Sequence, residues 1–325
     1  MSTPARIAVL GAGLMGHAIA QVFAAAGHAV AVYDPAASSL ATLHTRIAAN
    51  LRQIGGDATA LTRVRLSTEL HDAVHDADFI VEAALEDLAV KQDLLAQAES
   101  LALHNPVIAS NTSVIPITRI MQGLQRRGRA LGTHWWNPPF LIPLVEVIGT
   151  EWTDPDCLQW TMSLHEDIGK TPVHVRRDVP GFIGNRLQHA LWREAIALVQ
   201  AGVCDARTVD TVVKSSFGLR SAVLGPLENA DLVGTDLTAA IHQLVLPDLD
   251  RSEDVQPYLV NLVADGKLGM KADAGFHTWN DETKARLRAR LTRHLIQCRT
   301  SLAELDADST AAAAPPSRAP SEPRR

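Results

Sequence analysis

The sequence lacks long apolar runs, contains few cysteines and carries no excess of positive charge. No stretch approaches the roughly 20 apolar residues of a transmembrane helix, so we expect no membrane span. The three cysteines, Cys157, Cys204 and Cys298, are far apart. Their number and spacing predict free thiols in a reducing cytoplasm rather than disulfides. The formal net charge of −6 argues against nucleic acid or an anionic membrane as a partner.

The sequence also lacks a metal-binding motif and the pattern of a secretory signal peptide. No group of histidines, cysteines and carboxylates has metal-ligand spacing, so we expect no metal site. The first residues, "MSTPARIAVLGAG", enter an apolar run at once and lead into a glycine turn. That pattern differs from a secretory signal peptide, and it favours a cytoplasmic protein.

Two kinds of hydrophobic pattern follow one another along the chain. Up to about residue 178, short apolar runs alternate with helical patterns, including an amphipathic helix over 38–54, which predicts an α/β domain with a parallel sheet covered on both faces. Beyond it the patterns are mainly helical, over 181–202, 205–217, 225–248, 253–266 and 281–303. We therefore predict domains over 1–178 and 179–303. Residues 304–325, rich in Ala, Pro and Ser, are predicted to be a disordered tail.

The turn "GAGLMG" has the spacing of a dinucleotide-binding loop. Gly11, Gly13 and Gly16 follow a predicted strand and open a predicted helix. In such a loop the glycines allow a tight turn, a close approach of the pyrophosphate and close packing of the helix on the strand. Asp34 ends the second strand, where a carboxylate accepts hydrogen bonds from the ribose of NAD and repels the 2′-phosphate of NADP. We predict NAD; the alternative is a glycine turn and an acid with no ligand.

A lone histidine and a lone carboxylate lie in the apolar stretch "GTHWWNPPFLIPLVEVIGT". His134 ends one predicted strand and Glu146 lies in the next, so the two side chains can meet. A histidine beside a carboxylate can act as a general base near neutral pH. The alternative is a buried His134 bonded to a backbone carbonyl, with Glu146 on the surface.

Five motifs in order resemble those of the short-chain L-3-hydroxyacyl-CoA dehydrogenase family. They are "GAGLMG", "NTS", "HWWNP…LVEV", "PGFIGNRL" and "GPLENADLVG", and the resemblance covers residues 5 to about 300. It implies a Rossmann-type NAD-binding domain, followed by an all-helical domain that forms a homodimer. It also implies a small-molecule substrate, a 3-hydroxyacyl-CoA such as 3-hydroxybutyryl-CoA, oxidised at its 3-hydroxyl.

The resemblance assigns roles to individual residues. It implies that His134 is the catalytic base, that Glu146 orients it, and that Ser113 and Asn185 hold the substrate oxygen. It implies further substrate contacts by Asn137. The residues expected at the cofactor are Gly11, Gly13, Leu14, Met15, Gly16, Asp34, Glu86, Lys91 and Asn111. Without a ligand, Ser113 would only end a strand and Asn185 would only begin a helix.

The sequence departs from the family pattern at two places near the expected substrate site. "HFF" of the family is "HWW" here, so Trp135 and Trp136 either narrow the acyl site or belong to the core. "FGLRSAVLGP" replaces "FGYPMGP" and brings Arg220, in a pattern similar to L-gulonate 3-dehydrogenase and carnitine dehydrogenase. An arginine there can bind a substrate carboxylate through two hydrogen bonds. The alternative for Arg220 is a surface ion pair.

A third departure bears on coenzyme A. Residues 36–63 contain no lysine, although relatives often carry a lysine-rich run here near the CoA phosphates. Arg46, Arg52 and Arg63 remain, either to meet a phosphate or as solvated helix charges. The sequence therefore leaves three alternatives open: an acyl-CoA dehydrogenase, the same chemistry on a free sugar-derived, carnitine-like or aromatic hydroxy acid, and a non-catalytic NAD-binding structural protein.

Overall fold

The computed structural model describes residues 4–312, with side chains up to Ser301. The chain divides after His189 into two compact units. The first unit is α/β and the second is helical, as the sequence predicts. The division falls inside a helix that begins at Gly184, and it lies 11 residues beyond the predicted boundary at 178.

An eight-stranded sheet forms the centre of the first unit, in the order β3-β2-β1-β4-β5-β6-β7-β8. The strands are β1 (Arg6–Leu10), β2 (Ala29–Tyr33), β3 (Val64–Ser67), β4 (Phe79–Glu82), β5 (Val107–Ser110), β6 (Ala130–Trp135), β7 (Leu144–Ile148) and β8 (Thr171–Val175). Neighbours from β3 to β6 are parallel. Such buried parallel strands need apolar side chains on both faces, which their sequences provide.

The sheet is mostly parallel, as predicted, with one antiparallel pair. β7 runs antiparallel to β6, and β8 runs parallel to β7. The connection over 136–143 is shorter than the roughly dozen residues that a parallel crossover needs, so the chain can only turn back.

Helices cover both faces of this sheet. They are α1 (Gly16–Ala25), α2 (Ala37–Ala41), α3 (Leu43–Ile54), α4 (Leu70–Val74), α5 (Leu88–Leu101), α6 (Ile117–Met121), α7 (Pro155–Asp167) and α8 (Gly184–Gln200), which continues into the second unit. Side chains of β1 alternate between two apolar layers: Ile7 and Val9 join one, Ala8 and Leu10 the other. The helix predicted over 38–54 is broken at Thr42 into α2 and α3.

The described residues of the second unit form no β-strand, and its α-helices follow the end of α8. They are α9 (Ala206–Ser215), α10 (Phe217–Arg220), α11 (Pro226–Val233), α12 (Thr235–Val245), α13 (Pro257–Ala264) and α14 (Asp281–Ala312). The helix predicted over 225–248 is interrupted at Gly234, whose φ of 107° lies outside the helical region. Of the predicted tail, 304–312 continue α14, and 313–325 lie outside the described residues. No described helix is both long enough and apolar enough to span a bilayer.

Candidate active site

The glycine turn joins β1 to α1 at the carboxyl end of the sheet. Gly11 has a φ of 111°, and a Cβ on it would lie 2.6 Å from the carbonyl oxygen of Ala83. A Cβ on Gly16 would lie 1.8 Å from the carbonyl oxygen of Gly11, whereas one on Gly13 would meet nothing within 4 Å. Two glycines are therefore required by packing, and the third leaves open space where a ligand can approach the backbone. Leu14 is largely exposed beside that space.

Asp34 lies at the end of β2 and is tied to the glycine turn. Its two carboxylate oxygens accept the N–H groups of Ala12 at 2.8 Å and Ala36 at 2.9 Å. Each oxygen keeps a second lone pair. The carboxylate is thus held at the edge of the turn and can still accept a ribose hydroxyl.

A buried ion network lies beyond β4. The ammonium of Lys91, only 1% exposed, contacts Glu82 Oε1 at 2.7 Å and Glu86 Oε2 at 3.1 Å. Glu86 Oε1 also accepts the hydroxyl of Thr112 and, at 3.0 Å, the N–H of Ser113. Partial burial raises the pKa of Glu86, but the Thr112 hydroxyl and Lys91 outweigh it and hold that pKa below its ordinary value. Glu86 therefore fixes the loop that carries Ser113, with Lys91 enclosed beside it.

Glu82 was missed at the sequence level. It is fully buried, and its other oxygen, Oε2, accepts the Ser110 hydroxyl at 2.5 Å. Its one sequence signal is an acid that ends an apolar strand, nine residues before Lys91.

His134 and Glu146 are brought together by the antiparallel pairing of β6 and β7. They are directly opposite one another in the register, and His134 Nδ1 lies 2.8 Å from Glu146 Oε2. Their side chains are 5% and 0% exposed. Among the described residues, no hydrogen-bond partner reaches Nε2 of His134. The imidazole is thus oriented through one nitrogen, and the other is left for a ligand.

Glu146 is also bound by the start of α8. Its Oε1 accepts the N–H groups of Ile183 at 2.8 Å and Gly184 at 3.0 Å. Burial raises the pKa of Glu146, but the hydrogen bonds from His134, Gly184 and Ile183 together hold it below its ordinary value. The carboxylate is therefore ionised at neutral pH, and it binds both the His134 ring and the start of α8.

Aromatic rings enclose the imidazole. The ring centroids of Trp136 and Phe182 lie 5.4 and 5.6 Å from that of His134. Phe182, a residue that the sequence patterns did not single out, is buried with a φ of 51°. A left-handed conformation is rare for a bulky side chain, and strain of this kind concentrates at functional sites. Trp135 points to the other face of β6, where it packs on Phe23 in the core.

The remaining residues expected at the substrate, and Asn111, expected at the cofactor, are placed differently. The Asn185 side chain donates from Nδ2 to the carbonyl oxygen of Ser113 at 2.9 Å, which joins the start of α8 to the loop after β5. Asn111 accepts the N–H of Trp135 at 2.9 Å and so links β5 to β6. Asn137 is exposed beyond the end of β6, and Arg220 is exposed in α10 of the second unit.

Comparison with known proteins identifies this arrangement. The family model described as "3-hydroxyacyl-CoA dehydrogenase, NAD binding domain" matches residues 6–179, and its "C-terminal domain" counterpart matches residues 181–279. The chain belongs to the 3-hydroxyacyl-CoA dehydrogenase family. Its members are NAD-dependent oxidoreductases that act on CH–OH groups, so the predicted family, enzyme class and cofactor are confirmed.

Several relatives within this family act on different substrates, as their names state. The chain is 35% identical to 5-formyl-3-hydroxy-2-methylpyridine 4-carboxylate 5-dehydrogenase of Mesorhizobium japonicum, over 91% of this chain and 97% of the relative. The crystal structure of an enzyme of that name, described as an NAD⁺-dependent dismutase, has a TM-score of 0.87 to this chain. The two are 33% identical over 92% of this chain and 99% of the other. The human mitochondrial hydroxyacyl-coenzyme A dehydrogenase is 35% identical over 84% of this chain and 90% of its own.

The glycine turn fits the NAD of this dehydrogenase family. The open space above Gly13 and the tightly packed Gly11 and Gly16 form a backbone cradle at the start of α1, where anions bind. No group of three or more histidine, cysteine, aspartate or glutamate side chains in the described part is arranged to hold a metal ion.

Proposed function

We propose that this dehydrogenase interconverts a hydroxyl and a carbonyl group with the His134–Glu146 pair moving the proton. The observation that carries the proposal is the 2.8 Å contact between His134 Nδ1 and Glu146 Oε2, with Nε2 unpartnered among the described residues. In oxidation, Nε2 takes the proton of the substrate hydroxyl, and Glu146 stabilises the imidazolium that forms. In reduction, the imidazolium returns the proton to the developing alkoxide. NAD, when bound, accepts or returns the hydride.

Ser113 and Asn185 are proposed to hold the substrate oxygen. The hydrogen bond between Asn185 Nδ2 and the Ser113 carbonyl places both residues at one junction. Glu86 fixes the same loop through its contact with the Ser113 N–H. A polar donor held in advance stabilises a developing alkoxide without reorganisation during the reaction.

We propose that the substrate is a small molecule with a free carboxylate. Arg46 and Arg63, two of the three arginines considered for the CoA phosphates, instead contact backbone carbonyls within the fold. Relatives covering most of the chain are named for a pyridine carboxylate and for L-carnitine. Trp136 beside His134 suits a ring-bearing substrate. On this proposal Arg220 binds the carboxylate.

The second candidate is a 3-hydroxyacyl-CoA, which would place the enzyme in fatty-acid metabolism. The family description and the human relative favour it. Both candidates use the same proton chemistry at His134, and they differ only in what lies beyond the reacting carbon.

The role of His134 in proton transfer is tested with His134→Gln. We expect His134→Gln to lower kcat by about 10²- to 10⁴-fold, the usual range for a lost general base. The dissociation constant of NADH, measured by fluorescence, should stay within twofold. His104→Gln, at an exposed histidine of the same unit, is the control. Turnover within threefold of the unaltered enzyme in His134→Gln would refute the assignment.

The substrate is tested by following NADH absorbance at 340 nm. The panel contains 3-hydroxybutyryl-CoA, free 3-hydroxy acids, and aromatic alcohols and aldehydes that carry a carboxylate. The proposal predicts the highest kcat/KM for a substrate with a free carboxylate. The KM for that substrate should rise at least tenfold in Arg220→Met. It should not rise in Arg207→Met, the control at another exposed arginine of the second unit. A higher kcat/KM with the CoA ester would select the second candidate.

A further inference from the structure

Arg46, on the first half of α3, lies against the glycine turn instead of pointing into solvent. Its guanidinium donates from Nη2 to the carbonyl oxygen of Ala12 at 2.7 Å and from Nη1 to that of Gly13 at 3.1 Å. A third bond joins Nη2 to the carbonyl oxygen of Ser39 at 3.0 Å. The guanidinium is therefore held by three backbone carbonyls, which corrects the alternative of a solvated helix charge for this residue.

These two bonds help to hold the direction of the neighbouring N–H groups, together with the bond from the His17 N–H to the Gly13 carbonyl oxygen at 3.4 Å. In a trans peptide the C=O and the N–H point in opposite directions. The carbonyl of Ala12 belongs to the same peptide as the N–H of Gly13, and the carbonyl of Gly13 shares a peptide with the N–H of Leu14. Holding both carbonyls towards α3 therefore directs both N–H groups away from it, on the side where diphosphate binds in such turns.

Neighbouring polar side chains support the same carbonyl. His17 Nδ1 lies 2.9 Å from the Gly13 carbonyl oxygen, so that nitrogen carries the proton and donates. Its Nε2 then accepts from Asn50 Nδ2 at 3.3 Å, and Asn50 also donates to Gln21 Oε1 at 2.9 Å. Arg46 and Asn50 are four residues apart and lie on one face of α3. The helix thus contacts the turn and α1 through two adjacent polar side chains.

The N–H of Ala12 already has an acceptor within the protein. It donates to Asp34, so it is not available to a diphosphate. The N–H groups of Gly13 and Leu14, whose peptides Arg46 orients, remain for that purpose, and the guanidinium adds a full positive charge at the same loop. A cation close to a bound diphosphate stabilises it beyond the effect of the helix terminus.

We propose that Arg46 is a positioning residue for the cofactor diphosphate: it presets the N–H groups of Gly13 and Leu14 and supplies positive charge at the glycine turn. This inference concerns NAD binding, which the family establishes, and it does not depend on the substrate or on the role of His134. Arg46 itself touches the backbone of the turn and acts on the cofactor through it.

The test measures binding rather than turnover. Isothermal titration of the full-length protein with ADP-ribose, which carries the diphosphate without nicotinamide, and with NADH gives dissociation constants for Arg46→Met and Arg46→Lys. We expect Arg46→Met to raise both constants about tenfold or more, a loss of about 1.4 kcal/mol. Arg46→Lys keeps the charge but cannot bridge the same carbonyls, so an intermediate loss of threefold or more is expected.

Arg52→Met is the matched control, because Arg52 is an exposed arginine in the last turn of the same helix. Its dissociation constants should equal those of the unaltered protein. A lower melting temperature in Arg46→Met with unchanged dissociation constants would show a purely structural role and overturn the proposal. If Arg46→Met does not fold, Arg46→Lys decides: binding equal to that of the unaltered protein would overturn the proposal in the same way.

Discussion

Single residues in this protein show how neighbours decide the chemistry of a histidine. His134 and His165 are both buried in the first unit. His134 Nδ1 lies 2.8 Å from the Glu146 carboxylate, which orients the ring. His165 lies among aromatic rings, where burial lowers its pKa to about 4, and its Nδ1 is bonded to the Thr161 carbonyl at 2.7 Å. The imidazole of His134 is thus oriented by a carboxylate, whereas burial keeps that of His165 neutral.

The neutral state of His165 predicts a loss of stability in acid. Its pKa is about 6.5 when unfolded and about 4 when folded. Between these values the unfolded chain binds a proton that the native one does not, so the free energy of unfolding falls as the pH falls below 6.5. The loss is about 2 kcal/mol at pH 5 and approaches about 3 kcal/mol near pH 4.

Urea unfolding of the unaltered protein and of His165→Phe at pH 7.5 and pH 5 measures this effect. The measured quantity is the free energy of unfolding of the variant minus that of the unaltered protein. This difference should become more favourable to the variant by about 2 kcal/mol between pH 7.5 and pH 5. His104→Phe, at an exposed histidine, should show no such change. The same difference at both pH values for His165→Phe would contradict a buried neutral imidazole.

A residue's role could be predicted where its signal lies within a short segment of the sequence. The glycines and Asp34 are fixed by spacing within one strand-turn-helix-strand segment. His134 and Glu146 could be paired because adjacent strands carry them. The contacts of Arg46 and of Glu82 were not predictable, because each partner is a backbone carbonyl or buried ammonium whose position only the folded chain defines.

At the scale of elements, the site depends on the β6–β7 pair and the start of α8. The antiparallel register sets His134 opposite Glu146, and the first peptides of α8 bind the second carboxylate oxygen. The direction of β7 could have been predicted from the short connection over 136–143, and the opposite faces of Trp135 and Trp136 from the two-residue period of a strand. The breaks at Thr42 and Gly234 could not, because the amphipathic pattern continues across each of them.

The junction of α8 with β6 predicts a specific effect of Gly184→Ala. A Cβ on Gly184 would lie 2.4 Å from Cζ2 of Trp136, so the indole must move against His134 or the Gly184 N–H must leave Glu146. Such overpacking costs about 1–3 kcal/mol. We expect kcat to fall at least tenfold, with the NADH dissociation constant unchanged.

A second substitution separates this mechanism from general damage. Trp136→Phe removes the ring edge that the new methyl group meets, so Gly184→Ala combined with Trp136→Phe should recover most of the kcat of Trp136→Phe alone. Gly123→Ala, where a Cβ meets nothing within 4 Å, is the neutral control. Additive losses in the double variant would rule out the contact as the cause.

At the scale of the whole molecule, the two units differ in how completely they bury their apolar side chains. The first unit has apolar layers on both sides of its sheet. Among the described residues of the second, Leu262 is the one hydrophobic residue in the core. Large apolar side chains of its helices are instead exposed, among them Leu227 at 80%, Leu244 at 78% and Leu232 at 74%. A helical unit that leaves this much apolar surface in water marks an association site.

We infer that a second copy of this chain covers these helices in a homodimer. Burying a single leucine contributes about 1.5–3 kcal/mol, so several of them can hold two copies together.

Light scattering behind a sizing column should give twice the 35.0 kDa mass of one chain. Leu244→Arg should shift this mass to one chain and lower the melting temperature, because a charged side chain cannot be buried there unpaired. Leu103→Arg, at a 63% exposed leucine of the first unit, should remain dimeric. An unaltered protein that elutes with the mass of a single folded chain at micromolar concentration would show that the second unit is stable without a partner.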